Sequence, residues 1–442
     1  MIISSILKFN NIIKQNQLVI YNNYLKIYHY LNIIDHQKIL NKLKVGTYTT
    51  YLENGGRARV TSFLLNYLCH IKFFDLYLYS IKKINKNNEY LINENIKRIL
   101  IKRYTINNLI KEIKKKRLEF FIYQLSNYSE INIFNSLKKI KIIFIQHQSF
   151  FFWIYSNYTY FKYLYEAYQK SRFIISLIHL ENDYIFKKWG INSILMNNFI
   201  TYDYNHSFPS NLMSKNIIMI GRADDIFKRF ELGIQAMEYI IKEIPESQMI
   251  IISNLTNIFF LKNVINNLVL KNNIKFYDYI SNPEIYFENV CLHFFTSISE
   301  SFGLVLSETK IYGIPNILLG IDYISIKKGG IIIIYDDSAE SIAKETFKIL
   351  LNNQNRQNLG YEARISMKHF KNEIVMKKWV KLILSIYFYD DYQRFIEFNK
   401  KLSEKQALVI LQKQIKLLNK RKKEMKNISI NDIENIIFKD KN

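Results

Sequence analysis

From about residue 42 onward, short apolar runs alternate with longer amphipathic segments. Apolar runs of this length predict buried strands, and the longer segments predict helices. Helix-length segments, including Val60–Leu68 and Tyr158–Gln169, separate several of the runs. Such an alternation is typical of βαβ units in a parallel sheet. The strands predicted in the first half are Lys44–Thr49, Phe73–Tyr79, Arg98–Ile101, Leu118–Tyr123, Lys141–Gln146, Phe173–Leu177 and Ser193–Met196.

The alternation restarts after a polar, irregular segment, Asn197–Lys215, which is the best candidate for a linker. A second α/β sheet is therefore expected in the second half. Its predicted strands are Ile217–Ile220, Met249–Ser253, Lys275–Tyr277, Val290–Phe294 and Ile331–Tyr335. Its predicted helices are Phe230–Lys242, a segment around Phe259–Val269, Leu304–Tyr312, Ala339–Leu351 and Glu373–Tyr387.

The length of 442 residues exceeds what one ordinary core accommodates, so two domains are expected. We divide the chain into an N-terminal extension (1–40), a first α/β domain (41–200), a second α/β domain (201–388) and a basic helical tail (389–442). The extension is rich in Asn, Ile and Tyr without a clear period, whereas the tail is highly charged.

The composition is that of a globular protein, with 49% hydrophobic residues, 12 Gly and 4 Pro. A net charge of +24 raises two interpretations. One is a nucleic-acid or membrane partner, and the other is a solvated lysine-rich surface, since Ile, Asn, Lys and Tyr are abundant everywhere. No run is long enough for a membrane span, and no signal peptide is recognised. Because Cys69 and Cys291 lie far apart, a reducing, cytoplasmic location is expected.

A glycine pair, Gly55-Gly56, follows the first predicted strand and precedes a helix. Glycines at such a turn allow backbone N–H groups to approach an anion at a helix N-terminus. Arg57 or Arg59 would assist. The alternative is a plain glycine turn with surface arginines.

A second candidate is the segment 220–230, Ile-Gly-Arg-Ala-Asp-Asp-Ile-Phe-Lys-Arg-Phe, which joins a strand to a helix. Arg222 and Lys228 are expected to converge on one diphosphate after Gly221, because Arg supplies a bidentate fork and Lys a point charge. The alternative is a surface cluster of the kind that a lysine-rich chain often contains.

The sharpest candidate is the segment 299–308, Ser-Glu-Ser-Phe-Gly-Leu-Val-Leu-Ser-Glu, which continues to Gly313-Ile314-Pro315. A helix is predicted to begin near Gly303, so backbone N–H groups at Phe302–Leu304 would face a phosphate. Glu300 would accept hydrogen bonds from sugar hydroxyls, and Glu308 would accept them from a ribose. The alternative is one exposed and one helix-surface glutamate without a function.

In order and spacing, these three segments resemble the donor-site motifs of the group 1 (family 4) glycosyltransferases of GT-B fold. Asp337 and the run 359–364, Leu-Gly-Tyr-Glu-Ala-Arg, are similar to the closing segment of that family. The resemblance covers about residues 42–388. It implies two Rossmann-like parallel-sheet domains facing across a cleft, the first for the acceptor and the second for a nucleotide-sugar.

The resemblance also implies a role for each matched residue. Four are implied to be catalytic: Arg222 and Lys228 on the leaving diphosphate, Glu300 on the transferred sugar, and His147, which follows a strand, near the reacting sugar. A histidine in that position is otherwise often structural. The residues implied to bind the donor are Gly55, Gly56, Gly221, Phe302, Gly303, Leu304 and Glu308.

The implied reaction retains the anomeric configuration. It uses a nucleotide-sugar, UDP-linked in most of the family, and a glycan or lipid-linked acceptor. No cofactor or metal is expected, and no specific nucleic acid.

Two departures from the family pattern bear on these expectations. The family often has Ala-Glu-Arg after the glycine pair, where this chain has Arg57-Ala58-Arg59. After Gly313-Ile314-Pro315 the family shows a glycine pair and an acidic residue, where this chain has Gly320-Ile321-Asp322.

Two other classes of function stay open at this stage: a non-catalytic sugar-nucleotide-binding relative and a basic nucleic-acid-binding protein. The tail, residues 400–426, is a candidate for contact with an anionic membrane, and its alternative is a solvated or partner-binding helix.

Overall fold

The computed structural model describes residues 42–389. The gaps within this range are 53–54, 82–88, 102–104, 125–130, 148–157, 201, 206, 208, 224, 226, 255–260, 262–264, 266–269, 271, 279–282 and 322–323. The predicted N-terminal extension and the tail from residue 390 onward lie outside the described residues, as does most of the helix predicted around Phe259–Val269.

The first sheet has seven parallel strands in the order β3-β2-β1-β4-β5-β6-β7. All seven predicted runs form strands, with ends shifted by one or two residues. The strands are β1 (Leu43–Tyr48), β2 (Phe74–Ser80), β3 (Lys97–Leu100), β4 (Phe120–Gln124), β5 (Lys141–Ile145), β6 (Phe173–Ser176) and β7 (Ile194–Leu195). Among the described residues, the helices that connect them are α1 (Gly56–Leu68), α2 (Ile106–Lys116), α3 (Asn132–Ser136), α4 (Tyr158–Lys170) and α5 (His179–Trp189).

Both faces of the first sheet are buried. Neighbouring residues of a strand point to opposite faces, and in β2 Leu78 joins one core cluster while Tyr77 and Tyr79 join the other. This explains why the strands are apolar throughout instead of alternating, as expected for a parallel sheet covered by helices on both sides.

The second sheet has six parallel strands in the order β10-β9-β8-β11-β12-β13. These strands are β8 (Asn216–Ile220), β9 (Gln248–Ile252), β10 (Ile274–Tyr277), β11 (Leu292–Phe295), β12 (Asn316–Leu319) and β13 (Ile331–Ile334). Its helices are α6 (Phe230–Glu243), α7 (Leu304–Ile311), α8 (Ala339–Leu350), α9 (Asn353–Ser366) and α10 (Asn372–Tyr389), and two 3-10 turns cover Pro283–Asn289 and Met367–Phe370. Strand β12 was not predicted, because its four residues directly follow Pro315 without a polar boundary.

The last helix, α10, returns to the first sheet. Its buried residues, among them Met376, Trp379 and Ile383, belong to the core cluster on one face of that sheet. Lys141 Nζ in β5 donates to the carbonyl of Ile386 at 2.8 Å. The proposed boundary at residue 388 follows chain order, so it assigns to the second domain a helix whose packing partner is the first.

The chain therefore crosses between the two sheets twice, and the crossings touch. In the first crossing lie Tyr204 and Ser207, whose carbonyls accept hydrogen bonds from Arg364 Nη2 at 2.9 and 2.8 Å. Lys371, in the second crossing, donates to Asn205 Oδ1 at 3.1 Å. The described residues 204, 205 and 207 of the predicted linker are thus held against the end of α9 and the segment that follows it.

Each sheet reverses its strand order once, between β1 and β4 in the first and between β8 and β11 in the second. Loops that leave the carboxyl ends of the two strands at such a point diverge and leave a crevice for a ligand. The glycine-pair segment follows β1, and the two charged segments follow β8 and β11.

Candidate active site

The loops after β8 and β11 are bonded to each other. We name them the β8 loop (residues 221–229) and the β11 loop (residues 296–303). Thr296 Oγ1 donates to the carbonyl of Lys228 at 2.6 Å, and Ile298 N donates to the carbonyl of Phe227 at 3.0 Å. The two loops therefore form one rigid edge over the reversal point of the second sheet.

Lys228 and Glu300 form an ion pair across this edge. The side chains are 24% and 13% exposed, so the pair is shielded but reachable from the crevice. The Lys228 ammonium also lies 5.9 Å from the centre of the Phe295 ring. Two predicted site residues, Lys228 after β8 and Glu300 after β11, are thus in contact at the reversal point.

Arg222 has a different carboxylate partner. Its side chain is 73% exposed, and Nη2 lies 2.6 Å from Asp225 Oδ2 within the same loop. Asp225 also shapes the loop, since its Oδ1 accepts from Phe227 N at 3.0 Å and its carbonyl from Lys228 N at 2.8 Å. Arg222 and Lys228, which were expected to converge on one diphosphate, are thus each paired with a different carboxylate in this structure.

Helix α7 begins at the end of the β11 loop without a side-chain cap. Its N-cap residue, Gly303, has φ 81°, in the left-handed region that only glycine adopts at low cost. Phe302 before it is buried against Phe370, with ring centres 5.8 Å apart. The first N–H groups of α7 therefore lie at a fixed position beside Glu300 and carry the positive end of the helix dipole.

A second ion pair, which the sequence did not predict, involves the residue that follows Lys228. Arg229, at φ 52°, pairs with Asp337 after β13, and the two side chains are 5% and 14% exposed. Asp337 had been noted for its resemblance to the closing segment of the family, but no signal in the sequence linked it to Arg229.

The glycine pair meets the second domain at the start of α7. A Cβ added to Gly56 would lie 2.9 Å from Leu304 Cδ1, so only glycine allows this approach without a shift. Of the two arginines expected to assist at an anion, Arg57 donates to Thr50 Oγ1 at 3.4 Å. Arg59 instead forms an ion pair with Glu308 across the two domains.

The pairing of Arg59 with Glu308 was not predicted, although the spacing of Arg59 from Gly56 places both on one face of α1. Residues three apart share a helix face, so the face of α1 that presents Gly56 to Leu304 also presents Arg59. Glu308 is fully buried at this contact.

His147 follows β5 and lies beside the β11 loop, because Ser301 Oγ donates to the His147 carbonyl at 2.8 Å. Burial, with a smaller effect of Arg57, lowers the pKa of His147 to about 3. Its Nε2 is buried, and the described residues offer it no hydrogen-bond partner. The imidazole is therefore neutral near pH 7, and one of its ring nitrogens has no hydrogen-bond partner among the described residues.

The segment after β12 carries the second departure from the family pattern. Lys310 in α7 donates to the carbonyls of Ile326 and Lys328, both at 2.6 Å, and burial lowers its pKa to about 7. Ser325 accepts from Asn197 Nδ2 at 2.9 Å, which ties the segment to the first crossing. Asp322 lies outside the described residues.

Two features bear on other classes of site. Within the part of the chain that the structure describes, no helix has the length and apolarity needed to cross a bilayer. The described residues also contain no group of three His, Cys, Asp or Glu side chains that could hold a metal ion.

Comparisons with known proteins agree with this geometry. Residues 204–366 match the family model described as glycosyl transferases group 1. A search of curated proteins found no matching sequence.

Among solved structures, sucrose-phosphate synthase from Thermosynechococcus elongatus superposes with a TM-score of 0.66 at 13% identity, over 78% of this chain and 99% of that one. Alr3699/HepE from Anabaena, in complex with UDP and glucose, gives 0.61 at 12% identity, over 78% and 99%. A glycosyltransferase from Rickettsia africae gives 0.58 at 15% identity, over 79% and 100%.

Two parallel-sheet domains that meet at charged loops over their reversal points define the GT-B class, and the chain is a glycosyltransferase of this fold. Its second domain is similar to the group 1 glycosyltransferases over the matched residues 204–366. The predicted fold class, two facing Rossmann-like domains, is confirmed.

Proposed function

We propose that the chain transfers a sugar from a nucleotide diphosphate sugar to a hydroxyl acceptor, with retention at the anomeric carbon as in family 4. The observation that carries this proposal is the Lys228–Glu300 pair over the reversal point of the second sheet. It places a cation for the leaving diphosphate beside a carboxylate for the sugar, and the loop that bears His147 contacts the same site.

In this proposal the departing diphosphate is stabilised by preorganised positive charge. Lys228 turns from Glu300 to the diphosphate when the donor binds, and Arg222, largely exposed, turns from Asp225. The uncapped N–H groups of Phe302, Gly303 and Leu304 and the backbone of Gly55, Gly56 and Gly221 complete the phosphate site. Donors fixed in place before the reaction are usually the largest single contribution to catalysis of this kind.

The neighbouring groups bind the two sugars of the donor. Glu300 accepts hydrogen bonds from the transferred sugar, and Glu308 accepts them from the vicinal hydroxyls of the ribose. His147 is suited to bond a hydroxyl of the transferred sugar, because it stays neutral and has a free ring nitrogen among the described residues.

For the donor we propose a UDP-sugar, since structures of the similar Alr3699/HepE were solved with UDP and with UDP-glucose. For the acceptor we propose a glycan or a lipid-linked glycan. The enzyme is then expected in the cytoplasm, with peripheral membrane contact through the tail. Liposome flotation with and without residues 394–442 tests that contact, and equal flotation of both forms contradicts it.

A thermal-shift panel of UDP, GDP, ADP and their sugar conjugates tests the donor site. A ligand at about 100 times its dissociation constant stabilises by about 2.7 kcal/mol, which raises Tm by a few degrees. We expect a shift with one nucleotide that is lost in Arg222→Ala and Glu308→Ala. No shift with any nucleotide would contradict the proposed donor site and favour the alternative of a basic nucleic-acid-binding protein.

The stereochemistry is tested on the product. With the donor that the panel selects and a simple hydroxyl acceptor, NMR coupling constants give the anomeric configuration of the new bond. Retention is expected, and an inverted product contradicts that part of the proposal without affecting the donor site.

A further inference from the structure

The contact between Arg59 and Glu308 joins residues from the two domains. Arg59 lies in the first turns of α1, and Nη1 donates to Glu308 Oε1 in α7. Neither residue is more than 6% exposed. A carboxylate that is to bind the nucleoside is thus held by a guanidinium of the opposite domain.

Arg59 is itself oriented by the first domain. Its Nε donates to the Tyr90 hydroxyl at 3.2 Å, and the guanidinium carbon lies 5.5 Å from the centre of the Tyr90 ring. Tyr90 N donates in turn to the carbonyl of Leu52 at 3.1 Å, next to the glycine-pair segment. The direction of the guanidinium is therefore fixed within its own domain.

We propose that Arg59 is a positioning residue for nucleoside binding: it holds the Glu308 carboxylate while that carboxylate accepts the ribose hydroxyls. This inference rests on the proposed role of Glu308. An ionised carboxylate offers about four lone-pair directions, so an arginine at Oε1 and two hydroxyls are compatible. The first domain then contributes to the affinity for the nucleoside without touching it.

A direct role for Arg59 at the diphosphate is the competing assignment, since it lies three residues after the glycine pair. The geometry opposes it, because the guanidinium already bonds Tyr90 through Nε and Glu308 through Nη1. The two assignments predict different effects of losing Arg59: weaker binding of the ribose hydroxyls in one case, and weaker binding of the diphosphate in the other.

Calorimetric titration with UDP and with 2′,3′-dideoxy-UDP separates them. For Arg59→Ala we expect the Kd of UDP to rise about tenfold or more and that of the dideoxy nucleotide to change less than about twofold. Arg59→Lys should recover part of the loss, because a point charge replaces the fork. Arg172→Ala, a change of an exposed first-domain arginine, controls for net charge and should bind both nucleotides as the wild type does.

A double-mutant cycle measures the coupling directly. In the Glu308→Gln background, Arg59→Ala should weaken UDP binding much less than in the wild type, since its partner charge is already gone. If Arg59→Ala does not fold, as judged by its Tm, Arg59→Lys takes its place in the cycle.

Three results overturn the inference. An equal loss with UDP and the dideoxy nucleotide assigns Arg59 to the diphosphate, and full additivity in the cycle leaves no coupling to Glu308. An unchanged Kd for UDP removes any role. In all three cases wild-type binding of UDP persists, so the proposed function stands, whereas a wild type that binds no nucleoside diphosphate contradicts both.

Discussion

The carboxyl edges of the two sheets share one topology and differ in how they use charge. Over the second sheet, the described loops contain three ion pairs within the domain: Arg222–Asp225, Lys228–Glu300 and Arg229–Asp337. Over the first sheet, the described segment after β2 holds one ion pair, Glu89 with Arg98, and neutral groups interact at α1, where Gln124 Nε2 donates to Thr61 Oγ1 at 2.9 Å. The arginine of α1 that is buried there, Arg59, makes its ion pair with the other domain.

The difference indicates a division of labour. The second edge places three cations over the reversal point, each paired with a carboxylate, and this arrangement fits the proposed donor site, where Lys228 and Arg222 would turn to a diphosphate. The first edge supplies close backbone approach at Gly56, a neutral imidazole at His147 and a guanidinium that reaches across. Apart from the seventh strand of the first sheet, the two sheets share one strand order, so the strand order does not distinguish their functions, whereas the pairing of charges in the loops does.

The largest expected effect concerns the buried pair of the second edge. Arg229→Ala leaves Asp337 buried without its counter-charge, so the free energy of unfolding should fall by about 3–5 kcal/mol in urea denaturation. The double variant with Asp337→Ala should recover part of this loss. If Arg229→Ala costs less than about 1 kcal/mol, the pair does not stabilise the second edge.

Next in size is the loss of positive charge at the proposed leaving group. Lys228→Ala should lower kcat about 10²–10³-fold, the usual consequence of removing one preorganised stabilising group. Lys242→Ala, an exposed lysine in α6 of the same domain, is the matched control and should leave kcat unchanged. An equal kcat for Lys228→Ala and the control would break the proposed division of labour.

The next prediction concerns a buried carboxyl of the first domain, Glu181, and the dependence of stability on pH. Burial raises the pKa of Glu181 from 4.5 to about 8, although the Tyr168 hydroxyl donates to it at 2.6 Å. The native state therefore holds a proton that the unfolded chain releases, so stability is present at low pH and falls as the pH rises from about 4.5 to 8.

Between about pH 5 and pH 8 this carboxyl should cost the wild type about 3 kcal/mol. Glu181→Gln keeps the acceptor for Tyr168 and should remove that dependence in urea denaturation across the same pH range. A variant with the wild-type slope would show that Glu181 is ionised in the folded protein.

The smallest effect is expected at the exposed pair of the second edge. Asp225→Asn retains the oxygen that accepts from Phe227 N and removes the charge opposite Arg222, which is 73% exposed. The free energy of unfolding should change by less than about 0.5 kcal/mol. A loss above about 1 kcal/mol would show that the Arg222–Asp225 pair stabilises the fold, as the Arg229–Asp337 pair is expected to do. It would also contradict the proposal that Arg222 turns from Asp225 to the donor.

The fold was predictable from local pattern, as was the position of the candidate residues at the ends of strands, because strand lengths, glycines and loop charges are local properties. Partners were not. Lys228 and Glu300 were each assigned to a donor, and their pairing with each other depends on the order of strands in the sheet. Arg59 and Glu308 are separated by 249 residues, and only the arrangement of two domains brings them together.

The return of α10 shows the same limit. The sequence predicted it as a helix of the second domain, whereas its buried residues lie in the core cluster of the first sheet. Strand β12, whose four residues directly follow Pro315, was also missed.

The double crossing between the sheets has a mechanical consequence. Two segments that run side by side and are bonded through Arg364 and Lys371 act as a paired tether, so a protease that cuts one of them leaves the halves joined by the other. If the two halves open about this tether, Arg59 and Glu308 should separate, because they lie on opposite sides of the contact between the domains.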